Sequence, residues 1–232
     1  MNINQRLNQI HQTIQQTEQQ NHRHDHVKLL AVSKTKPLKA VEQAYQAGQR
    51  YFGENYVQEG VDKINAASQS SWLTDPIEWH FIGPLQSNKT RIVAEHFDWV
   101  QTVDREKIAK RLSEQRPQNK GPLNICIQIN ISNEQSKSGI SLTAVSTLAA
   151  LINSLPNLQL RGLMAIGGRG HPEQEFQKMH QAFTQLQKTY PQVDTLSMGM
   201  TGDMSLAIAN GSTLVRIGTA IFGERDYSQK PQ

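Results

Sequence analysis

One pattern recurs along the chain: a short apolar or β-branched run, a polar turn, then a stretch whose apolar residues fall one helical turn apart. It recurs eight times, with strand-like runs at 27–34 (VKLLAVSK), 50–55 (RYFGEN), 79–84 (WHFIGP), 99–104 (WVQTVD), 124–131 (NICIQINI), 160–167 (LRGLMAIG), 195–200 (TLSMGM) and 214–223 (LVRIGTAIFG). Helical stripes follow several of them. They comprise Val57, Val61 and Ile64; Leu142, Val145, Leu148, Leu151, Ile152 and Leu155; and Phe176, Met179, Phe183, Leu186 and Tyr190. Asp104 is placed to N-cap the helix-like REKIAKRL, and Gly211 to end the helix DMSLAIAN as its C′ glycine.

Eight alternating units predict an α/β fold: a closed parallel (β/α)8 barrel of the TIM type. The last run is followed only by ERDYSQKPQ (224–232), a short polar tail that cannot cover the barrel wall. At the other end, residues 1–20 carry Ile3, Leu7, Ile10 and Ile14 at helical spacing, which predicts an additional N-terminal helix closing that gap. No linker or low-complexity block interrupts residues 1–232, so a single domain is expected.

Composition narrows the class. With 232 residues, 37% hydrophobic and 19% charged, the chain is globular rather than collagen-like or disordered. Its one cysteine, Cys126, reads as a small buried hydrophobe, no run approaches a membrane span of about 20 residues, and the N-terminus does not resemble a secretion signal. A cytoplasmic location without membrane attachment is expected. The net charge of +4 is small and scattered, which argues for a solvated surface rather than a nucleic-acid interface.

In such barrels the chemistry sits at the carboxyl ends of the strands. Lys34 ends the apolar run LLAVSK, where desolvation favours the neutral amine needed to attack a carbonyl; a lysine that merely snorkels out of the barrel mouth fits the position too. Lys36 precedes Pro37 and is expected in the loop. Ser197, Gly199, Gly218 and Thr219 lie at the ends of the last two strands, where barrels often bind phosphate, although such glycines also permit tight packing. Arg216 shares strand parity with Gly218 and needs an acceptor, either a ligand atom or a carboxylate. The tract His22, His24 and His26 belongs to the loop before the first strand and is read as solvated; no metal site is expected.

Seven blocks together carry a family resemblance: LLAVSKTKP (29–37), FGENYVQE (52–59), WHFIGPLQSNK (79–89), SKSG (136–139), RGLMAI (161–166), SMGMTGDM (197–204) and VRIGTAIFGER (215–225). In order and spacing they resemble the YggS/PROSC family of pyridoxal 5′-phosphate (PLP) homeostasis proteins. That resemblance implies a fold type III PLP-binding barrel like the N-terminal domain of alanine racemase. It makes Lys34 the Schiff-base lysine, assigns the cofactor phosphate to Ser197, Gly218 and Thr219 with Met198 and Gly199 flanking, sets Arg216 against the pyridine nitrogen and Asn55 near the ring. Lys137 matches a further family lysine, and no residue is assigned a catalytic role. The sequence departs from relatives at MAIGGRGHPEQ, where a proline often follows MAI, and at Thr201, where serine is more usual.

An arginine at the pyridine nitrogen keeps that atom unprotonated and weakens the ring as an electron sink. By the same resemblance, racemisation takes its second base from an additional C-terminal domain, for which this length leaves no room. The expectation is therefore a monomeric carrier of PLP that exchanges cofactor with PLP-dependent apo-enzymes. A racemase-like PLP enzyme of unknown substrate is the alternative, and a cofactor-free aldolase-type barrel is a third possibility.

Overall fold

Each of the eight apolar runs contains a strand. The structure is a computed structural model that describes residues 1–168 and 170–224. In chain order it contains α1 (Ile3–Gln20), β1 (Lys28–Val32), α2 (Leu38–Gln46), β2 (Tyr51–Glu54), α3 (Val57–Ser68), β3 (Glu78–Phe81), α4 (Thr90–His96), β4 (Trp99–Val103), α5 (Glu106–Gln115) and β5 (Leu123–Ile129). There follow α6 (Val145–Ser154), β6 (Leu158–Ala165), α7 (Pro172–Thr189), β7 (Thr195–Ser197), α8 (Met204–Ala209), β8 (Leu214–Ile217) and α9 (Thr219–Phe222). All strands are parallel, and β1 closes the barrel by pairing with β8 in the register Leu30 to Arg216.

Strand parity sorts the apolar residues into two environments. Leu29 and Ala31 join the large core between barrel and helices, whereas their neighbours Leu30 and Val32 form a separate small cluster with Ile82 and Leu214. A second small cluster of Trp99, Cys126 and Met164 lies on the opposite side of the strand ring. The barrel interior is thus two apolar patches, and the residues between them are polar.

The N-terminal segment forms the expected covering helix. Asn2 and Gln5 build a reciprocal capping box at its start. Leu7, Ile10 and Ile14 are buried, and the helix packs on α2, α8 and α9, across the β8–β1 seam. Arg6 ties it to α9 through the carbonyl of Ile221.

Two local expectations fail. The last strand-like run does not extend to Gly223: β8 stops at Ile217, and residues 219–222 wind into a four-residue helix turn capped by Gly218. Asp104 is not an N-cap either, since Arg105 holds that position and the Asp104 carboxylate accepts the Gly139 N–H at 3.3 Å instead. Gly211, by contrast, follows α8 in the left-handed region (φ +96°) as a C′ glycine should. Of the expected tail 224–232 only Glu224 lies among the described residues. Among those residues no helix is long and apolar enough to cross a membrane.

Because Leu7 is 1% exposed under α1, which packs on α2, α8 and α9 over the β8–β1 seam, Leu7→Ala is expected to destabilise the fold by about 2–5 kcal/mol, read from urea denaturation; a loss under about 1 kcal/mol would show that α1 is not needed to close the barrel.

Candidate functional site

The carboxyl end of β1 is held by a buried charge cluster. Ser33 continues the ladder through its N–H to the Gly53 carbonyl, and the Lys36 N–H returns to the Ser33 carbonyl at 3.1 Å, so Lys34 rides in a tight turn. Thr35 takes φ +64°, an uncommon value for a β-branched residue. Its N–H is fixed by Glu59 Oε1 at 2.5 Å. Lys63 Nζ then gathers the cluster, donating to the Ser33 carbonyl at 2.7 Å, to Glu54 Oε1 at 2.8 Å and to Glu59 Oε1 at 2.7 Å. Ser33 Oγ completes it with a 2.5 Å bond to Glu54 Oε1. Two strand ends and the first turns of α3 are thereby locked around the residue expected to be the nucleophile.

Arg216 dominates the neighbouring strand. It is 5% exposed and has no carboxylate within ion-pair distance among the described residues. One guanidinium nitrogen donates to Ser197 Oγ at 2.7 Å and the other to the Ala165 carbonyl at 2.9 Å. Burial lowers its pKa to about 10, with Asp203 opposing the shift, so it stays charged at neutral pH. A guanidinium has five N–H groups, and those not used by Ser197 and Ala165 have no protein acceptor among the described residues.

Of the other expected site residues, Asn55 follows β2 directly, half-buried, and its buried Oδ1 has no hydrogen-bond partner. Gly218 and Thr219 lie at the start of α9, where the first-turn N–H groups lack helical acceptors, and Thr219 is exposed. Gly199 takes φ +100° and accepts the Arg216 N–H on its carbonyl at 2.9 Å, which ties the β7 end to β8. Lys36 lies in the loop, reaching the Glu224 carbonyl. Lys137 bridges Glu134 and the Gly167 carbonyl.

The side chains of Ser197 and Met198, expected in and beside the phosphate cradle, are both buried. The Ser197 hydroxyl is fully enclosed in the barrel, where it accepts from Arg216 and donates to Gln101 Oε1 at 2.6 Å, so its one proton is committed to holding the arginine in place. The Met198 side chain belongs to the outer core, and its carbonyl is taken by Ser212 Oγ. Lys63, Glu59 and Gln101 join these networks without standing out along the chain. Glu59 and Lys63 are an i,i+4 pair on α3, and Gln101 is a polar residue at the inward parity of Trp99, so both signals were present.

These observations suit an anionic aromatic ligand carrying a carbonyl: a lysine at the end of β1, a buried guanidinium with spare donors beside it, and an orphaned amide oxygen on the next strand. The family model for the N-terminal domain of alanine racemase matches residues 6–226. The pyridoxal phosphate homeostasis protein of Pasteurella multocida is 61% identical, the match covering 99% of this chain and 100% of that one. The chain belongs to this family. PipY of Synechococcus elongatus, solved with PLP bound, is similar over 95% of this chain and 100% of its own at 33% identity, with a TM-score of 0.81. An alanine racemase of Clostridium difficile shares the fold alone, at 11% identity and a TM-score of 0.74, over 96% of this chain and 56% of its own. The barrel and the alanine racemase relationship are as the resemblance implied, and the N-terminal helix is as the apolar spacing of residues 1–20 predicted.

The charge cluster carries a pH signature. Burial pushes the Glu54 carboxyl up to about 6 from 4.5, the Lys63 and Ser33 contacts only partly offsetting it and Glu59 adding repulsion. A carboxyl raised in the fold contributes stability that is full below about pH 4.5 and is lost as the pH rises through about 6. Glu54→Gln removes that dependence, so its stability relative to wild type is expected to rise by about 2 kcal/mol between pH 4 and pH 7 in urea denaturation, and a pH-independent difference would contradict it.

Proposed function

We propose that the protein binds PLP covalently through Lys34 and takes part in PLP homeostasis, buffering the cofactor and delivering it to apo-enzymes, without efficient amino-acid racemisation. The observation that carries this is the placement of Lys34, in its clamped turn after β1, beside the strand β8 that carries the buried Arg216, which has no carboxylate partner among the described residues. Close relatives are named for PLP homeostasis, and the similar PipY was solved with PLP, which supports the choice of ligand.

Each residue has a physical task in this proposal. Lys34 would supply the amine for the Schiff base, its turn held by Glu59 and Lys63 so that little freedom is lost on attachment. Arg216 would donate an unused N–H to the pyridine nitrogen and keep that atom unprotonated. Asn55 would offer its unpartnered Oδ1 to a donor near the ring, and the phosphate would be met by the backbone N–H groups at Gly218 and Thr219 beside Gly199. Bound PLP supplies an electron sink, which an arginine at its ring nitrogen weakens. That balance favours holding and release over removal of a substrate proton, in the cytoplasm and as a monomer.

Wild-type protein with PLP is expected to be yellow, and borohydride to fix the chromophore on the peptide containing Lys34. Lys34→Ala should be colourless while keeping its thermal stability, transfer of PLP to an apo-enzyme should be measurable, and alanine should not racemise at enzymatic rates. Label on another peptide, or fast racemisation, would refute the proposal.

A further inference from the structure

Inside the barrel, Arg216 is the first member of a continuous hydrogen-bonded chain. Ser197 Oγ accepts from Arg216 at 2.7 Å and gives its only proton to Gln101 Oε1 at 2.6 Å. The Gln101 amide nitrogen donates to His80 Nδ1 at 2.9 Å, and His80 Nε2 lies 2.9 Å from Glu78 Oε1. These contacts leave one consistent assignment. The Gln101 N–H makes Nδ1 the acceptor, so the imidazole proton sits on Nε2 and is donated to the Glu78 carboxylate. Every member donates to the next, from a cation on β8 through β7, β4 and β3 to an anion at the amino end of β3.

The electrostatics agree with that direction. Burial lowers the pKa of His80, Glu78 opposing only in part, which keeps the imidazole neutral. Burial also works against the charge of Glu78, yet His80, Lys28 and Arg161 more than offset it, so this carboxyl stays below its usual range. His80 is further fixed by stacking on Trp99, with ring centroids 4.8 Å apart. A chain polarised end to end strengthens each of its bonds and leaves no rotational freedom in the Ser197 hydroxyl.

We propose that Gln101 and His80 are positioning residues for the cofactor, acting through Ser197 to fix the Arg216 guanidinium against the ring nitrogen. This rests on the PLP assignment above. Ser197 has one proton, and Gln101 commits it; the hydroxyl oxygen is then left as an acceptor for Arg216, whose unengaged N–H groups are held in one orientation before the ligand arrives. Apolar side chains of similar volume would fill the same space without desolvating four polar groups, so packing alone does not account for the arrangement.

The test uses the full-length protein and PLP itself. Gln101→Met keeps the volume and removes both hydrogen bonds; His80→Phe keeps the stacking on Trp99 and removes the link to Gln101 and Glu78. PLP titration followed by absorbance and tryptophan fluorescence, the position of the bound chromophore band, and the thermal stability of the cofactor-free protein are measured for both. Loss of an acceptor that orients a charged donor is expected to weaken PLP binding roughly tenfold in Gln101→Met, with a shifted chromophore band, while borohydride still labels Lys34. His80→Phe is expected to shift the band in the same direction by less. Should Gln101→Met fail to fold, Ser197→Ala takes its place with the same expected band shift. Wild-type affinity and an unmoved band in the folded variants would overturn the positioning role alone. Absence of PLP binding by the wild type would overturn the cofactor assignment and this proposal with it.

Discussion

A guanidinium buried in the middle of a barrel is the constraint around which the rest of the interior is organised. Arg216 is almost wholly removed from water, and an unpaired charge in such a place costs several kcal/mol unless its protons are accepted. Among the described residues no carboxylate lies close enough to pair with it. Ser197 and the Ala165 carbonyl accept instead, and the need of Ser197 for an acceptor of its own brings in Gln101 and then His80. Barrel interiors of this type are usually layers of branched aliphatic side chains. Here the apolar part is split into the Leu30, Val32, Ile82, Leu214 patch and the Trp99, Cys126, Met164 patch, with the polar chain between them.

The same logic acts at the end of β1, with opposite means. There the charges are paired at once: Lys63 meets two carboxylates and a carbonyl within 2.8 Å. Both networks are buried on elements that the apolar outer core holds rigidly, and both end at residues of the same mouth. Because β1 and β8 are neighbours, a shift in either network would change the relation between Lys34 and Arg216. The α1 helix matters to this arrangement at a distance, since it covers the β8–β1 seam on the outside.

How much of this can be read along the chain depends on whether a residue's partner is near in sequence. The eight strands and the covering helix announce themselves, because burial on one face leaves a period that survives in the sequence. The eighth run deceives because TAIF is as apolar as a strand, and a single helix turn is too short to display a helical period. Lys34 and Arg216 are conspicuous as charges set in apolar runs. The role of Ser197 is not: whether its hydroxyl faces a rim or an arginine depends on where β7 stops, and the strand ends at that very residue. Gln101 lies 96 positions from Ser197, so no local spacing connects them.

Polar networks of this kind shift cost from ligand binding to folding. Each buried hydrogen bond was made, and each group desolvated, when the barrel closed, so a ligand entering the mouth meets donors that are already oriented. For a protein whose proposed task is to hold PLP and let it go, orientation without a strong electron sink is the useful combination: in that proposal the amine and the guanidinium would fix where the cofactor sits, while an arginine rather than a carboxylate at the ring nitrogen would limit what the bound cofactor can do. The neutral state of His80 belongs to the same device, since a second cation in the chain would repel Arg216 across the barrel and loosen the one group that the whole interior is arranged to hold.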